Sequence, residues 1–177
     1  MTGKPFLIIV VSGAGPAPRV TVLIEEAQRR GWDVGVATTP MGRSFIDTDK
    51  VQDLTGRPVR CDWRSSPTDP PESFPPAAGL IVAPATFNTV CKLAAGFADN
   101  LALSIVCEAV GAGVPTAVLP YVNTSLAAHI AYPRALADLR TMGVKIGSHQ
   151  PHQPKQGGAE DRYCWNEGLE LITNPVR

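Results

Sequence analysis

The feature that most constrains the fold is a junction near the start. An unbroken apolar run at residues 6–11 ends in Ser12-Gly13-Ala14-Gly15-Pro16, after which Val20, Leu23, Ile24 and Ala27 recur at helical spacing up to Gly31. A short apolar run closed by turn residues reads as a strand buried on both faces, and the 3.6-residue period after it reads as an amphipathic helix. A strand, a glycine turn and a helix in that order favour β-α-β winding, with a parallel sheet and right-handed crossovers.

The same alternation continues along the chain. A second strand at 34–37 ends in Thr38-Thr39-Pro40, and a short helix around 49–54 leads through Gly56 and Pro58 to a third strand at 59–61. Residues 65–76 hold five prolines, too many for a helix or a central strand, and form a long loop. A fourth strand follows at 80–83, then helices at 88–95 and 99–110, the second apolar on most faces and so expected to be buried. Beyond a fifth strand at 116–119 come a helical region ending near Met142, a short strand at 144–146, a Gln/His/Pro/Gly-rich stretch at 147–158 and a last helix at about 161–171. With no repeat and no linker, the reading is one three-layer α/β domain over residues 1–177, flavodoxin-like or Rossmann-like, with a central parallel sheet.

Composition narrows the classes of function. The chain has 177 residues, enough to bury roughly two-thirds of its unfolded surface without a staple. Sixteen basic residues balance sixteen acidic ones, so no cationic field points to nucleic acid or a membrane surface. Cys61, Cys91, Cys107 and Cys164 show no metal-ligand spacing, which predicts no metal site and a reducing, cytoplasmic compartment. The apolar run at 6–11 is too short for a signal peptide core, and no stretch is long enough to span a bilayer.

In a doubly wound sheet, ligands bind beyond the carboxyl ends of the strands, which directs attention to the loops starting at Ser12, Thr38, Pro84 and Pro120. Gly13-Ala14-Gly15 opens the first helix, where N–H groups favour a phosphate, although glycines there also serve a tight turn. A dinucleotide site would want a glycine near 18 and an acid ending the second strand; Pro18 and Thr39 stand there instead. A hydroxyl beside the glycine loop suits the terminal phosphate of a mononucleotide. Thr86, Asn88 and Thr89 crowd one strand-to-helix junction, more polar groups than capping alone requires.

The segment 84–101, PATFNTVCKLAAGFADNL, resembles the PASANT motif and its continuation in the homo-oligomeric flavin-containing cysteine decarboxylases. Residues 52–59 resemble that family's approach to its third strand, and Pro120-Tyr121-Val122-Asn123 resembles its PxMN motif, so the resemblance runs from about 6 to 146. It implies FMN as cofactor, with Gly13, Ala14, Gly15 and Thr39 around the phosphate and Pro40 and Met41 lining that pocket. It further implies that Thr86, Phe87, Asn88 and Thr89 hold the flavin with Tyr121 near the ring, and that Asn123 binds a substrate carboxylate or stabilises an enethiolate. The expected partners are a small or peptidyl thiol-bearing carboxylate and other copies of the chain, in a homotrimer or a multiple of it.

Departures from the family pattern are equally specific. Counting back from Pro84, the family's active-site histidine falls on Pro70, and no histidine occurs between residues 1 and 128. The family's cysteine clamp has no counterpart in 147–158, and Val122, Leu126 and Ala127 alter the pattern around Asn123. Of the three histidines, His129 is the first candidate for a catalytic role, a helix-surface position explaining it equally well, while His149 and His152 fall in a polar loop and are expected to be solvated. The expected function is therefore an FMN-binding, decarboxylase-like flavoprotein. The alternatives are a non-catalytic FMN-binding or regulatory subunit of a hetero-oligomer, or a flavin prenyltransferase-like enzyme.

Overall fold

The computed structural model describes residues 3–63, 73–155 and 160–173. Its elements, in chain order, are β1 (Phe6–Val11), α1 (Thr21–Arg29), β2 (Asp33–Thr38), α2 (Pro40–Arg43), α3 (Thr48–Thr55), β3 (Gly79–Ala85), α4 (Phe87–Ala94), α5 (Leu101–Gly111), β4 (Thr116–Pro120), α6 (Thr124–Ala127), α7 (Ala131–Thr141), β5 (Lys145–Ile146) and α8 (Glu167–Thr173). Among the described residues the five strands form one sheet in the order β2-β1-β3-β4-β5, and every pairing is parallel. That order, with helices on both faces, is the flavodoxin-like arrangement expected from the sequence.

Period-two alternation divides β1 between two cores. Phe6, Ile8 and Val10 face a layer containing Val90 and Leu93 of α4, Leu103 and Val106 of α5, and Tyr132 and Leu139 of α7. Leu7, Ile9 and Val11 face Leu23, Ile24 and Ala27 of α1, Val51 of α3 and Leu169 of α8. The central strand β3 is buried along its whole length as β1 is, because a parallel sheet is covered on both faces, whereas the edge strand β5 is only partly buried.

Three elements differ from the sequence reading. Residues 59–61 form no third strand: Arg60 makes a single parallel bridge to Ala37, receiving a bond from Thr38 N–H and donating one to Val36. Pro58 has no N–H to extend that ladder. The helix at 99–110 begins later, at Leu101, and buries one face only, leaving Ile105, Cys107 and Val110 partly accessible. The last helix is shorter than 161–171, a single 3-10 turn at Glu160–Arg162 followed by α8. Tyr163 and Trp165 are both buried while Cys164 between them is exposed, and inward residues two apart do not fit one face of an α-helix. Pro70 lies outside the described residues.

Leu169 is fully buried and ties α8 to the sheet. Leu169→Ala is expected to lower unfolding free energy by about 2–5 kcal/mol, whereas Leu126→Ala, at an exposed position, changes it by less than about 0.5 kcal/mol; urea denaturation followed by circular dichroism measures both.

Candidate functional site

The carboxyl ends of β1, β2 and β3 are joined by backbone bonds beyond their ladders. Ser12 N–H donates to the Pro84 carbonyl at 3.1 Å and Thr39 N–H to the Val11 carbonyl at 3.0 Å, so the glycine loop, the Thr39 turn and the Thr86 junction are held side by side. Each of the last two begins a helix. Thr39 caps α2 by accepting from Gly42 N–H at 3.0 Å, and Thr86 caps α4 by accepting from Thr89 N–H at 3.3 Å.

A chain of hydroxyls crosses this junction. Ser12 Oγ lies 2.9 Å from Thr89 Oγ1, which lies 3.0 Å from Thr86 Oγ1. Ser12 and Thr89 are both buried, and the Ser12 hydroxyl depends on Thr89 for its partner, whereas Thr89 also reaches Thr86. These bonds fix the first turn of α4 against the end of β1.

The three junctions enclose a cavity of about 590 Å³. Gly13, Thr39, Pro40, Met41, Thr86, Asn88 and Thr89 line it, seven of the residues singled out from sequence. Its size falls within the range of about 300–1,000 Å³ usual for cofactor sites. Among the described residues, the N–H groups of Gly13, Ala14 and Gly15 donate to no protein acceptor. A Cβ on Gly13 would stand 2.6 Å from Met41 Cγ, so glycine is what allows the loop and Met41 to approach so closely. Free N–H donors at a tight glycine turn beside a threonine suit a phosphate group, and the fit with FMN is good on these grounds.

Lys92, Asp99, Asn100 and Leu103 also line the cavity. Lys92, Asp99 and Asn100 belong to the 84–101 motif and Leu103 lies two residues beyond it; none of the four has a cofactor role in the sequence reading. The signal was present in the seven-residue spacing of Lys92 and Asp99, which pair across the turn between α4 and α5. The Lys92 ammonium holds the Asp99 carboxyl below its ordinary value against the opposing effect of burial, with lesser help from a backbone bond and Asn100. Asn100 caps α5 through its bond from Leu103 N–H.

Other candidates sit elsewhere. Phe87 packs against Tyr132 with ring centroids 6.1 Å apart and meets the His129 ring edge-on at 5.8 Å. His129 is on the surface of the α6–α7 turn, and its Nδ1 accepts from Ala131 N–H at 3.2 Å. Asn123 caps α6 by accepting from Leu126 N–H at 2.9 Å. Tyr121 lies outside the cavity lining; its Cε1 edge is against Gly15 and its face is stacked on His152 at 4.2 Å. His149 and His152 are therefore not solvated as the sequence suggested, but half-buried against Tyr121 and Tyr163. Among the described residues no helix could cross a membrane, and no cluster of three His, Cys, Asp or Glu is placed to hold a metal.

Comparison with known proteins agrees with this geometry. The model of the Flavoprotein family matches residues 1–161, and this chain belongs to that family. The bifunctional coenzyme A biosynthesis protein CoaBC of Escherichia coli K12 is 32% identical over 156 residues, covering 82% of this chain and 36% of that protein. The chain thus spans little more than a third of that relative. A probable phosphopantothenoylcysteine decarboxylase of Streptococcus mutans is 30% identical over 151 residues, 82% of each chain. The crystal structure of TvaF, an FMN-dependent cysteine decarboxylase from thioviridamide biosynthesis, superposes with a TM-score of 0.72 at 23% identity, covering 97% of this chain and all of that one.

Thr89→Val leaves the buried Ser12 hydroxyl without its partner. It is expected to destabilise the protein by about 1–3 kcal/mol, whereas Asn88→Ala, at an exposed position in the same turn, leaves the urea midpoint within error of the parent.

Proposed function

We propose that residues 1–177 act as one FMN-binding domain that recognises a thiol-bearing carboxylate. The observation that carries this reading is the convergence of the glycine loop, the Thr39 turn and the Thr86 junction on one cavity. Relatives described as FMN-dependent or as phosphopantothenoylcysteine decarboxylases support it. Gly13, Ala14, Gly15 and Thr39 would take the phosphate; Pro40, Met41, Thr86, Asn88 and Thr89 would hold the remainder, with Phe87 fixing α4 from behind and Tyr121 bordering the loop at Gly15. Bound FMN supplies a two-electron acceptor. Asn123 would receive the substrate carboxylate through its amide N–H₂, since its side-chain oxygen already accepts from Leu126. Reducing surroundings, in the cytoplasm, fit four free cysteines, and a homotrimer or its multiple fits the same reading.

Proton transfer is the weak step for such an enzyme. General acid–base catalysis contributes about 10²–10⁴-fold, and residues 1–128 contain no histidine. His129 offers a defined donor, because an Nδ1 that accepts from Ala131 leaves the ring proton on Nε2. Its ring, however, lies on the Phe87 side of α4 rather than along the cavity. That placement favours a second reading, in which the chain binds FMN as a non-catalytic or regulatory subunit and a related chain provides the acid–base group.

The purified protein is expected to be yellow and to release FMN, rather than FAD or NAD, on heating. Gly13→Val, which forces a side chain onto Met41, should weaken FMN at least about tenfold, or 1.4 kcal/mol, in a fluorescence titration. A colourless wild-type protein that takes up no FMN rules out the assignment.

With 4′-phosphopantothenoylcysteine the FMN-loaded protein is expected to release carbon dioxide far more slowly than about 1 s⁻¹, the lower end of ordinary turnover. Turnover above that rate, abolished by Asn123→Ala and retained by His129→Ala, would place the proton carrier elsewhere in the chain.

A further inference from the structure

Tyr121 has a second neighbourhood, away from Gly15. Its face stacks on His152 at 4.2 Å and 24° and on His149 at 5.5 Å and 26°. The Tyr163 ring closes the cluster edge-on, 5.4 Å from His149 and 6.0 Å from Tyr121. This cluster borders a cavity of about 430 Å³ lined by Ser148, His149, Gln150, His152, Arg162 and Cys164, none of which lines the larger cavity.

The hydrogen-bonding state of the two imidazoles defines what this cavity offers. His149 Nε2 and His152 Nδ1 are buried with no partner. A buried N–H without an acceptor is rarer than an under-used acceptor, and a doubly protonated ring would place a charged N–H there. The ring proton therefore belongs on the opposite nitrogen, His149 Nδ1 and His152 Nε2, each of which is outside the buried set. Burial first, then His152 and Arg162, lower the His149 proton affinity below that of a free imidazole, with Glu167 opposing.

The residues lining the cavity carry charge of one sign. Arg162 is the single permanent charge among the described lining residues, and no carboxylate is among them. The nearby acids have other partners: Glu167 accepts from Ser148 N–H at 2.8 Å, Glu160 from the Tyr121 hydroxyl at 3.4 Å, and Asp161 pairs with Arg19 at 2.8 Å. A guanidinium and two imidazoles, with no carboxylate among the lining residues, make a set of side chains suited to oxygen anions.

We propose that His149, His152 and Arg162 form a binding site for a small oxyanion, a carboxylate or a phosphate, separate from the cavity assigned to FMN. It does not depend on FMN binding and predicts that a ligand's acidic group can be held on the opposite side of Tyr121 from the phosphate loop.

The test uses the full chain labelled with ¹⁵N at histidine, titrated separately with acetate and inorganic phosphate at constant ionic strength. Millimolar binding that shifts the His149 and His152 imidazole signals and leaves His129 unmoved is the expected result. Arg162→Gln and His152→Asn should each weaken it at least tenfold, and Arg162→Gln, whose side chain lines only this cavity, should leave FMN uptake, read by fluorescence, as in the parent. Response to both anions or to either alone supports the site and identifies whether carboxylate or phosphate is preferred. Absence of any shift at saturating anion, or affinity unchanged in both variants, overturns it. A protein that binds anion but not FMN would refute the flavin assignment and leave this site intact.

Discussion

The pairing of β1 on both edges is the constraint from which the rest of the molecule follows. All six of its residues are buried, and its backbone has only β2 and β3 to satisfy it. In a parallel sheet both neighbours must run the same way, so the chain has to return along one face or the other between strands. The β1–β2 connection carries α1, and the β3–β4 connection carries α4 and α5 on the opposite face, which is why the two cores divide β1 by alternate residues. Where the strands end, the same requirement for backbone partners is met by Thr39 N–H on Val11 and Ser12 N–H on Pro84. The cavity is a consequence of these bonds, since they set three loop starts beside one another.

Capping and binding are served by the same residue types here, which limits what polarity alone can establish. Thr39, Thr86, Asn100 and Asn123 all accept a hydrogen bond from a backbone N–H in the first turn of the following helix. Any of them could be present for the helix alone. Asn88 and Thr89 are different. Thr89 satisfies Ser12 across 77 positions of sequence, a tertiary role, whereas Asn88 is exposed on the cavity wall where no helix end needs it. The excess of polar groups at this junction thus divides into one cap, one link from α4 to the end of β1 and one exposed side chain on the cavity wall.

Local patterns carried most of the fold and much of the site. The run at 6–11, the glycine turn and the 84–101 motif each combine a periodic segment with its own start or stop signal, and all three appear where expected. The residues at 59–61 looked like a strand because they are short and partly apolar, but a strand needs a register with its neighbour, and Pro58 and the geometry beyond Ala37 leave one bridge. The apolar residues around Tyr163 and Trp165 also allow a helical period; the common burial of the two rings depends on the core they share with Leu169 of α8, which no local signal encodes. Lys92 and Asp99 were in plain view, but their meeting requires the turn at Gly96, whose φ of 74° reverses the chain between two helices.

His149 and His152 mark the boundary of sequence reasoning most clearly. A segment rich in Gln, His, Pro and Gly has no periodicity, so polarity was the only guide and it pointed to solvent. What the sequence did not reveal is that Val122 and Thr124 exchange backbone bonds with His152. Those bonds draw the segment against the end of β4, and the imidazoles then cover Tyr121. Burial of one nitrogen on each ring accompanies that stacking, and both residues line the Arg162 cavity. Tyr121 is consequently a shared wall: substitution by a smaller residue would remove support from the glycine loop on one edge and from His152 on its face, so effects of Tyr121 variants on flavin binding and on anion binding are coupled by packing. Changes at Arg162, which touches only the second cavity, are free of that coupling and separate the two.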